Sequence, residues 1–325
     1  MHKFMRAVGL AGLQGRGALE KLLEYCVQHA DEREYIKNED DEVFAQFTKE
    51  FAPGLGVVVY GQFKSGNHFI YEYYYPYIKS ESISSSEDIT VEQHAATDSY
   101  AGVCDDPRVG ITMIFYLQNM MDYLKISENG QKKTTGTSVA LSALSTQGTI
   151  MLPIAKTPNQ KRLLKKKRQA RTKLVSSARN GDENAIESLT LDDMNIYTTI
   201  SDKILKEDVY TLVDNYFMPY GVECDQYSMM GEITDYRLTI NTYTKEPVYI
   251  LSVKCSDIDI DIAINRKDLL GEPAVGRRFK GNIWLQGHII FPEKNNRLKK
   301  FYYCVKLIKC LLQMKALLRL GSSAG

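Results

Sequence analysis

The stretch Ser256–Asp268, "SDIDIDIAINRKD", decides how the C-terminal part of this chain is read. Asp257, Asp259 and Asp261 fall at positions 1, 3 and 5 of a calcium-loop register, with Asp268 at position 12. A calcium loop needs glycine at position 6, for a sharp positive-φ turn, and usually glutamate at position 12. This chain has Ile262 and Asp268 there, and a β-branched residue resists that turn. The alternation explains more. Ile258, Ile260, Ile262 and Ile264 all point to one face of a strand, and the aspartates point to the other. One face is core and one is wet, as in an antiparallel sheet. Lys254, Lys280 and Arg237 are candidate cross-strand partners for the aspartates.

Working outward, the segment Gly221–Phe291 reads as about five short strands, as in a small barrel or curved sheet. "YRLTINTY" and "VYILSVKC" flank the turn "TYTKEP", and "FKGNIWLQGHIIF" follows "GEPAVG", a tight loop. Gly281 and Gly287 inside strand-like sequence predict bulges or bends. Trp284 is expected in the core, sharing a face with Phe279 only if a bulge intervenes.

Towards the N-terminus, "HKFMRAVGL" reads as a strand and "RGALEKLLEYCVQHA" as an amphipathic helix. The Gly-rich "GLAGLQGRG" between them sits where phosphate-cradling loops occur. Its spacing is not Gly-x-Gly-x-x-Gly, and no Gly-Lys-Ser/Thr is present, so it reads as a flexible connection. "GVVVYGQFKSGNHFIYEYYYPYI" is a hairpin turning at Ser65-Gly66-Asn67, and "SVALSALSTQGTIMLPI" a second one turning at Gln147-Gly148. The tyrosines at 71, 73, 74, 75 and 77 serve this sheet. The expected fold is α+β: an antiparallel N-terminal sheet domain (1–155), a basic helical connector with further helices (156–220), a small β-barrel-like domain (221–292) and a basic amphipathic tail helix (293–325).

The connector carries the clearest functional signal. Lys156–Arg179 holds ten Lys/Arg and no acid, within a chain of net charge +1. Lys161, Arg162, Lys165, Lys166, Lys167, Arg168, Arg171 and Lys173 are candidate phosphate contacts to RNA or DNA. Arg277, Arg278 and Lys280 form a second basic edge. The bland alternative is a solvated helix face paired with the acidic helix "DENAIES" after it, for which Asp182 is the expected N-cap. A last helix is expected over "EDVYTLVDNYF".

Other chemistry is sparse. The five histidines lack metal-ligand spacing, and the six scattered cysteines form no Cys-x-x-Cys pair. Neither a metal nor a cofactor is expected. Cys104 near His94 does not make a dyad by sequence proximity, and Glu223, Asp225, Glu232 and Asp235 read as a solvated face. The scattered thiols suggest a reducing, cytoplasmic setting. No run reaches the ~18 apolar residues of a membrane span. The tail over 299–320 can dock in a partner groove or on a membrane surface, with packing against its own domain as the alternative.

The strings "SARNGDENAIESLTLDDMNIYTTIS" and "GEPAVGRRFKGNIWLQG", with "MHKFMRAVG" at the start, resemble a family of uncharacterised proteins from clostridia-type bacteria. The resemblance covers about residues 1–292. It is a domain of unknown function, so it implies cytosolic proteins but no activity, cofactor or site. The expectation is a non-enzymatic binding or scaffolding protein. A nucleic-acid- or ribosome-associated protein is the alternative, and an enzyme with an unrecognised site the third reading.

Overall fold

A computed structural model of the chain describes residues 1–13, 15–37, 43–64, 68–93, 99–128, 136–204, 210 and 213–292. The chain opens with a 3-10 helix, Lys3–Val8, then α1 (Arg16–Gln28) and four strands: β1 (Glu32–Lys37), β2 (Val43–Ala52), β3 (Leu55–Lys64) and β4 (His68–Ile78). These strands make an antiparallel sheet in the order β1-β2-β3-β4. There follow β5 (Ile89–Gln93), β6 (Tyr100–Cys104), β7 (Met113–Leu117), α2 (Met120–Glu128) and the long β8 (Ser138–Met151). Helices α3 (Pro158–Arg179) and α4 (Glu183–Ile204) lead to β9 (Tyr216–Pro219), β10 (Gln226–Ile240), β11 (Pro247–Cys255), β12 (Ile258–Asn265), β13 (Leu269–Leu270) and β14 (Arg278–Ile290).

Strands β8, β12, β11, β10 and β14 close into a five-stranded barrel, because β14 pairs with both β10 and β8. β7 pairs with β14 in parallel and attaches the β5–β7 ribbon to the same sheet. Strands on both sides of residue 155 therefore share one sheet.

β12 is a strand. Ile258, Ile260, Ile262 and Ile264 are buried in the barrel interior. Ser256 and Asp257 both take positive φ, 50° and 63°, and form the two-residue turn that joins β11 to β12. That hairpin geometry needs positive φ at both central residues. Asp257 thus lies in the turn and not on the strand face. Asp259 lies opposite Lys254, 3.5 Å from its ammonium. Asp261 accepts from Ser252 (2.6 Å) and Ser80 (2.8 Å), and Asp268 is clamped by Arg6 at 2.5–2.6 Å. Lys280 and Arg237 are engaged elsewhere, with Tyr210 and Glu81.

Part of the barrel's outer face is also covered. Leu144, Val248, Ile250, Ala263 and Trp284 point outward into a second core, with the 3-10 helix, α1 and the four-stranded sheet. Buried amides join the two layers. The Gln118 amide donates to Ile78 O, Ser142 Oγ and Gln286 Oε1, and the Gln286 amide donates to Pro76 O.

Several sequence expectations are corrected. Lys3–Val8 is a 3-10 helix and not a strand: Phe4, Met5, Ala7 and Val8 are buried at helical spacing, and Gly9 ends the turn at φ 81°. The supposed hairpin at Gln147-Gly148 is one continuous strand, β8. It carries an irregularity at Thr146, opposite Asn282/Ile283. Gly148 and its cross-strand partner Gly281 are needed for close approach: a Cβ on either would lie 2.5–2.6 Å from the Phe279 ring. Trp284 is in a core, as expected, and with no bulge in β14 between them it lies on the opposite face from Phe279. Of the helix expected over residues 207–217, Tyr216 and Phe217 instead belong to β9 and residues 213–215 are not helical, while residues 207–209, 211 and 212 lie outside the described residues, as do the turn at 65–67 and the tail helix. Asp182 does cap α4, accepting from the N–H groups of Asn184 and Ala185.

Ile262→Ala is expected to lower unfolding free energy by about 2–5 kcal/mol, because it empties a filled barrel interior. Asp259→Asn is expected to change it by no more than about 0.5 kcal/mol. Denaturant titration of both variants, with and without calcium, checks this. A calcium-dependent midpoint that Asp259→Asn removes would restore the loop reading.

Candidate functional site

The aromatic residues of β4 point the way to a cavity. Tyr73, Tyr75 and Tyr77 alternate along β4 and pack into the core between the sheets. Helix α2 crosses the face of the four-stranded sheet, tied to β1 by the Lys125–Glu34 ion pair at 2.6 Å. Asn119, just before α2, exchanges hydrogen bonds with the backbone of Ile289, which fixes the helix start against β14. Between α2, β6, β7 and the sheet is a cavity of about 440 Å³. Its walls include Phe44, Tyr60, Tyr73, Tyr100, Tyr116 and Leu124, with Glu72 beside them.

The phenols in this wall are held neutral. Burial pushes Tyr73 up to about 12, and burial raises Tyr60 and Tyr116 well above the ordinary tyrosine range. The Tyr60 hydroxyl donates to Gln46, and the Tyr73 and Tyr116 rings lie side by side, with centroids 6.4 Å apart. The Tyr116 ring packs against Trp284 at 5.2 Å, and Trp284 stacks on Phe4 at 5.3 Å. The wall is thus stiff, apolar and able to offer hydrogen bonds without carrying phenolate charge.

The predicted basic residues separate into two groups. Arg162, Lys165, Lys166, Lys167, Arg171 and Lys173 are exposed along α3, whose start is fixed by a capping box between Thr157 and Gln160. The side chain of Lys161 lies outside the described residues. Arg171 reaches Asp193 of α4 at 2.8 Å, so the acidic helix does pair with the basic one at that point. Arg168 turns toward the body, 3.9 Å from Asp214 and 3.8 Å from Asp257. The other edge is not one surface. Arg278 is 7% exposed, and its guanidinium donates to the carbonyls of Leu152, Tyr210 and Val213. Lys280 bonds the Tyr210 hydroxyl, and Arg277 donates to Glu272 O. Arg278 and Lys280 hold the base of the helical region on the barrel.

The remaining constellations are internal. The Gly-rich loop cradles an anion, but that anion is the carboxylate of Glu246, which accepts from Gly12 N (2.9 Å), Ala11 N (3.3 Å) and Asn265 Nδ2 (2.6 Å). The loop expected to be a flexible connection is therefore pinned. Cys104 is a buried thiol pushed up to about 11 by burial, which suits packing more than nucleophilic attack; His94 lies outside the described residues. Of the four acids after Gly221, Glu223, Glu232 and Asp235 are exposed, while Asp225 accepts from Trp284 Nε1 at 2.6 Å. Among the described residues no group of three His, Cys, Asp or Glu side chains is placed to hold a metal ion. Nor is any described helix long and apolar enough to cross a membrane.

Asp106 forms an unexpected polar latch. It is fully buried and accepts from Arg108 and from Ser85 Oγ (2.6 Å). Arg108 also donates to Asp257 O and Ser84 O, tying three segments together. Burial alone would raise the Asp106 carboxyl; the Arg108 and Ser85 hydrogen bonds outweigh it and lower it. A depressed carboxyl contributes stability above its unfolded value of about 3.9, lost as pH falls through the folded value. Asp106→Asn is expected to cost about 3–5 kcal/mol at neutral pH, because Arg108 loses its charge partner. Below about pH 4 the difference from wild type should shrink, which thermal unfolding across pH 2–7 reads directly.

No curated protein and no solved structure matches the chain. The family described as "Domain of unknown function, E. rectale Gene description (DUF3881)" matches residues 5–287, a span that takes in both sheets, the helical hairpin and every wall residue of the cavity. The chain belongs to that family.

Proposed function

We propose that this protein is a non-enzymatic binding module that takes a small, largely apolar ligand into the cavity under α2. The observation that carries this reading is the cavity itself. At about 440 Å³, walled by aromatic and aliphatic side chains with a few phenols and Glu72, it has the size and lining of a small-molecule site. The raised phenols support binding over proton transfer, since a general base must lose its proton near the working pH. Buried free thiols at Cys26, Cys104 and Cys255 support a reducing, cytoplasmic setting.

The neutral dye N-phenyl-1-naphthylamine tests the site. Saturable fluorescence enhancement is expected with wild type. Leu124→Trp and, separately, Met120→Trp should weaken it about ten-fold or more while the unfolding midpoint stays near wild type. Dye binding that neither tryptophan affects would overturn the assignment.

A second reading is favoured by the exposed cations along α3. Arg162, Lys165, Lys166, Lys167 and Lys173 stand clear of the body, and no acidic residue lies on that helix. Such a face would bind RNA or DNA phosphates with affinity falling about 10³-fold or more between 50 and 200 mM salt if six or more contacts form. Purified wild type is then expected to carry salt-removable nucleic acid. A variant with Arg162, Lys165, Lys166 and Lys167 changed to Glu should carry none. Wild type free of nucleic acid at low salt would eliminate this reading.

A further inference from the structure

We infer that the ligand of the cavity under α2 is an organic cation, of the quaternary or tertiary ammonium class; this deepens the binding reading above and rests on it. Five aromatic rings line one cavity: Phe44, Tyr60, Tyr73, Tyr100 and Tyr116. The face of each ring is negative, and a cation within about 6 Å of a ring centroid is attracted to it, most strongly where water is excluded. Tyr73 and Tyr116 have ring centroids 6.4 Å apart. That spacing is too narrow for a trimethylammonium to enter between the rings, but one seated beside them in the cavity lies within about 6 Å of both centroids.

The charges around the cavity have the matching sign. Among the described residues its lining includes one carboxylate, Glu72, and no Lys, Arg or His. Glu34 and Asp122 lie close enough to contribute to the rise of the Tyr60 hydroxyl, after burial and Tyr75, and Asp225 acts likewise on Tyr73, after burial. Lys125 of α2 is paired to Glu34, at 2.6 Å. An anion entering here would meet ring faces and the Glu72 carboxylate, and, among the described residues, no basic side chain in the lining. Met120 and Met121, also in the wall, supply polarizable sulfur against alkylammonium methyl groups. Glu72 is exposed and belongs to the rim, so its part is to favour entry of a positive head more than to hold it.

The test compares two probes of nearly the same shape that differ in charge: phenyltrimethylammonium and tert-butylbenzene. Each displaces N-phenyl-1-naphthylamine from the full chain at constant ionic strength, and calorimetry of the cation is run without dye. The cation is expected to bind about ten-fold or more tighter than its neutral isostere, the scale of one or two desolvated cation–ring contacts. Glu72→Gln should weaken the cation several-fold and leave tert-butylbenzene unchanged. Leu124→Trp should weaken both. If tert-butylbenzene competes as well as the cation or better, the cation assignment fails and the cavity reading survives. If the cation gives no heat and neither the dye nor tert-butylbenzene binds, the cavity reading fails and takes the cation assignment with it.

Discussion

The antiparallel ladder between β8 and β14, from Ser138–Ile290 to Met151–Arg278, is the constraint on which the other packing relations depend. It closes the barrel, and closure removes two sheet edges that would otherwise need covering. It also gives these strands two apolar faces. Inward, Val139, Leu141, Ala143, Ile283 and Leu285 fill the barrel; outward, Leu144 and Trp284 meet the four-stranded sheet. Without the ladder the outer core would lose its floor, and the β5–β7 ribbon, which pairs with β14, would lose its anchor.

Closing a barrel beside a second sheet leaves polar backbone at the seam. The Gln118 and Gln286 amides satisfy the carbonyls of Ile78 and Pro76, and the Ser142 hydroxyl accepts from the Gln118 amide, all buried. The same logic recurs at Glu246, which fills the nest made by Ala11 and Gly12, and at Asp106, which holds Arg108 and Ser85. In each place a polar side chain completes a backbone or charge requirement, because an unmet polar group in the interior costs more than a met one contributes. Rigid seams of this kind allow the cavity under α2 to persist beside a well-packed core.

Legibility in the sequence follows burial. β12 was readable because one face is wet along Asp259 and Asp261, so the two-residue period survives in the residue types. β8 was misread because both faces are buried, which erases the period, and because Gly148 looks like a turn when its role is to admit the Phe279 ring. The basic run of α3 was plain as charge. Its division was not: Arg168 faces the body, while Lys165, Lys166 and Lys167 face water, and that depends on which carboxylates the fold brings near. The tyrosines of β4 were visible as sheet residues. That Tyr73 shares a cavity with Leu124 was not, since no local pattern records which helix crosses which sheet.

By itself the sequence determined the α+β class, the antiparallel N-terminal hairpin, the strand identity of β12, the position of the basic helix and the cap of α4 at Asp182. Each of these rests on periodicity, turn chemistry or charge within a dozen residues, where the chain's local preferences act. Tertiary structure decided the barrel's closure, the use of both faces of β8 and β14, the filling of the Gly-rich nest by Glu246 and the existence of the aromatic cavity. Those features join residues such as Gly12 and Glu246, or Ile36 and Leu124, that meet only when packing brings distant segments together.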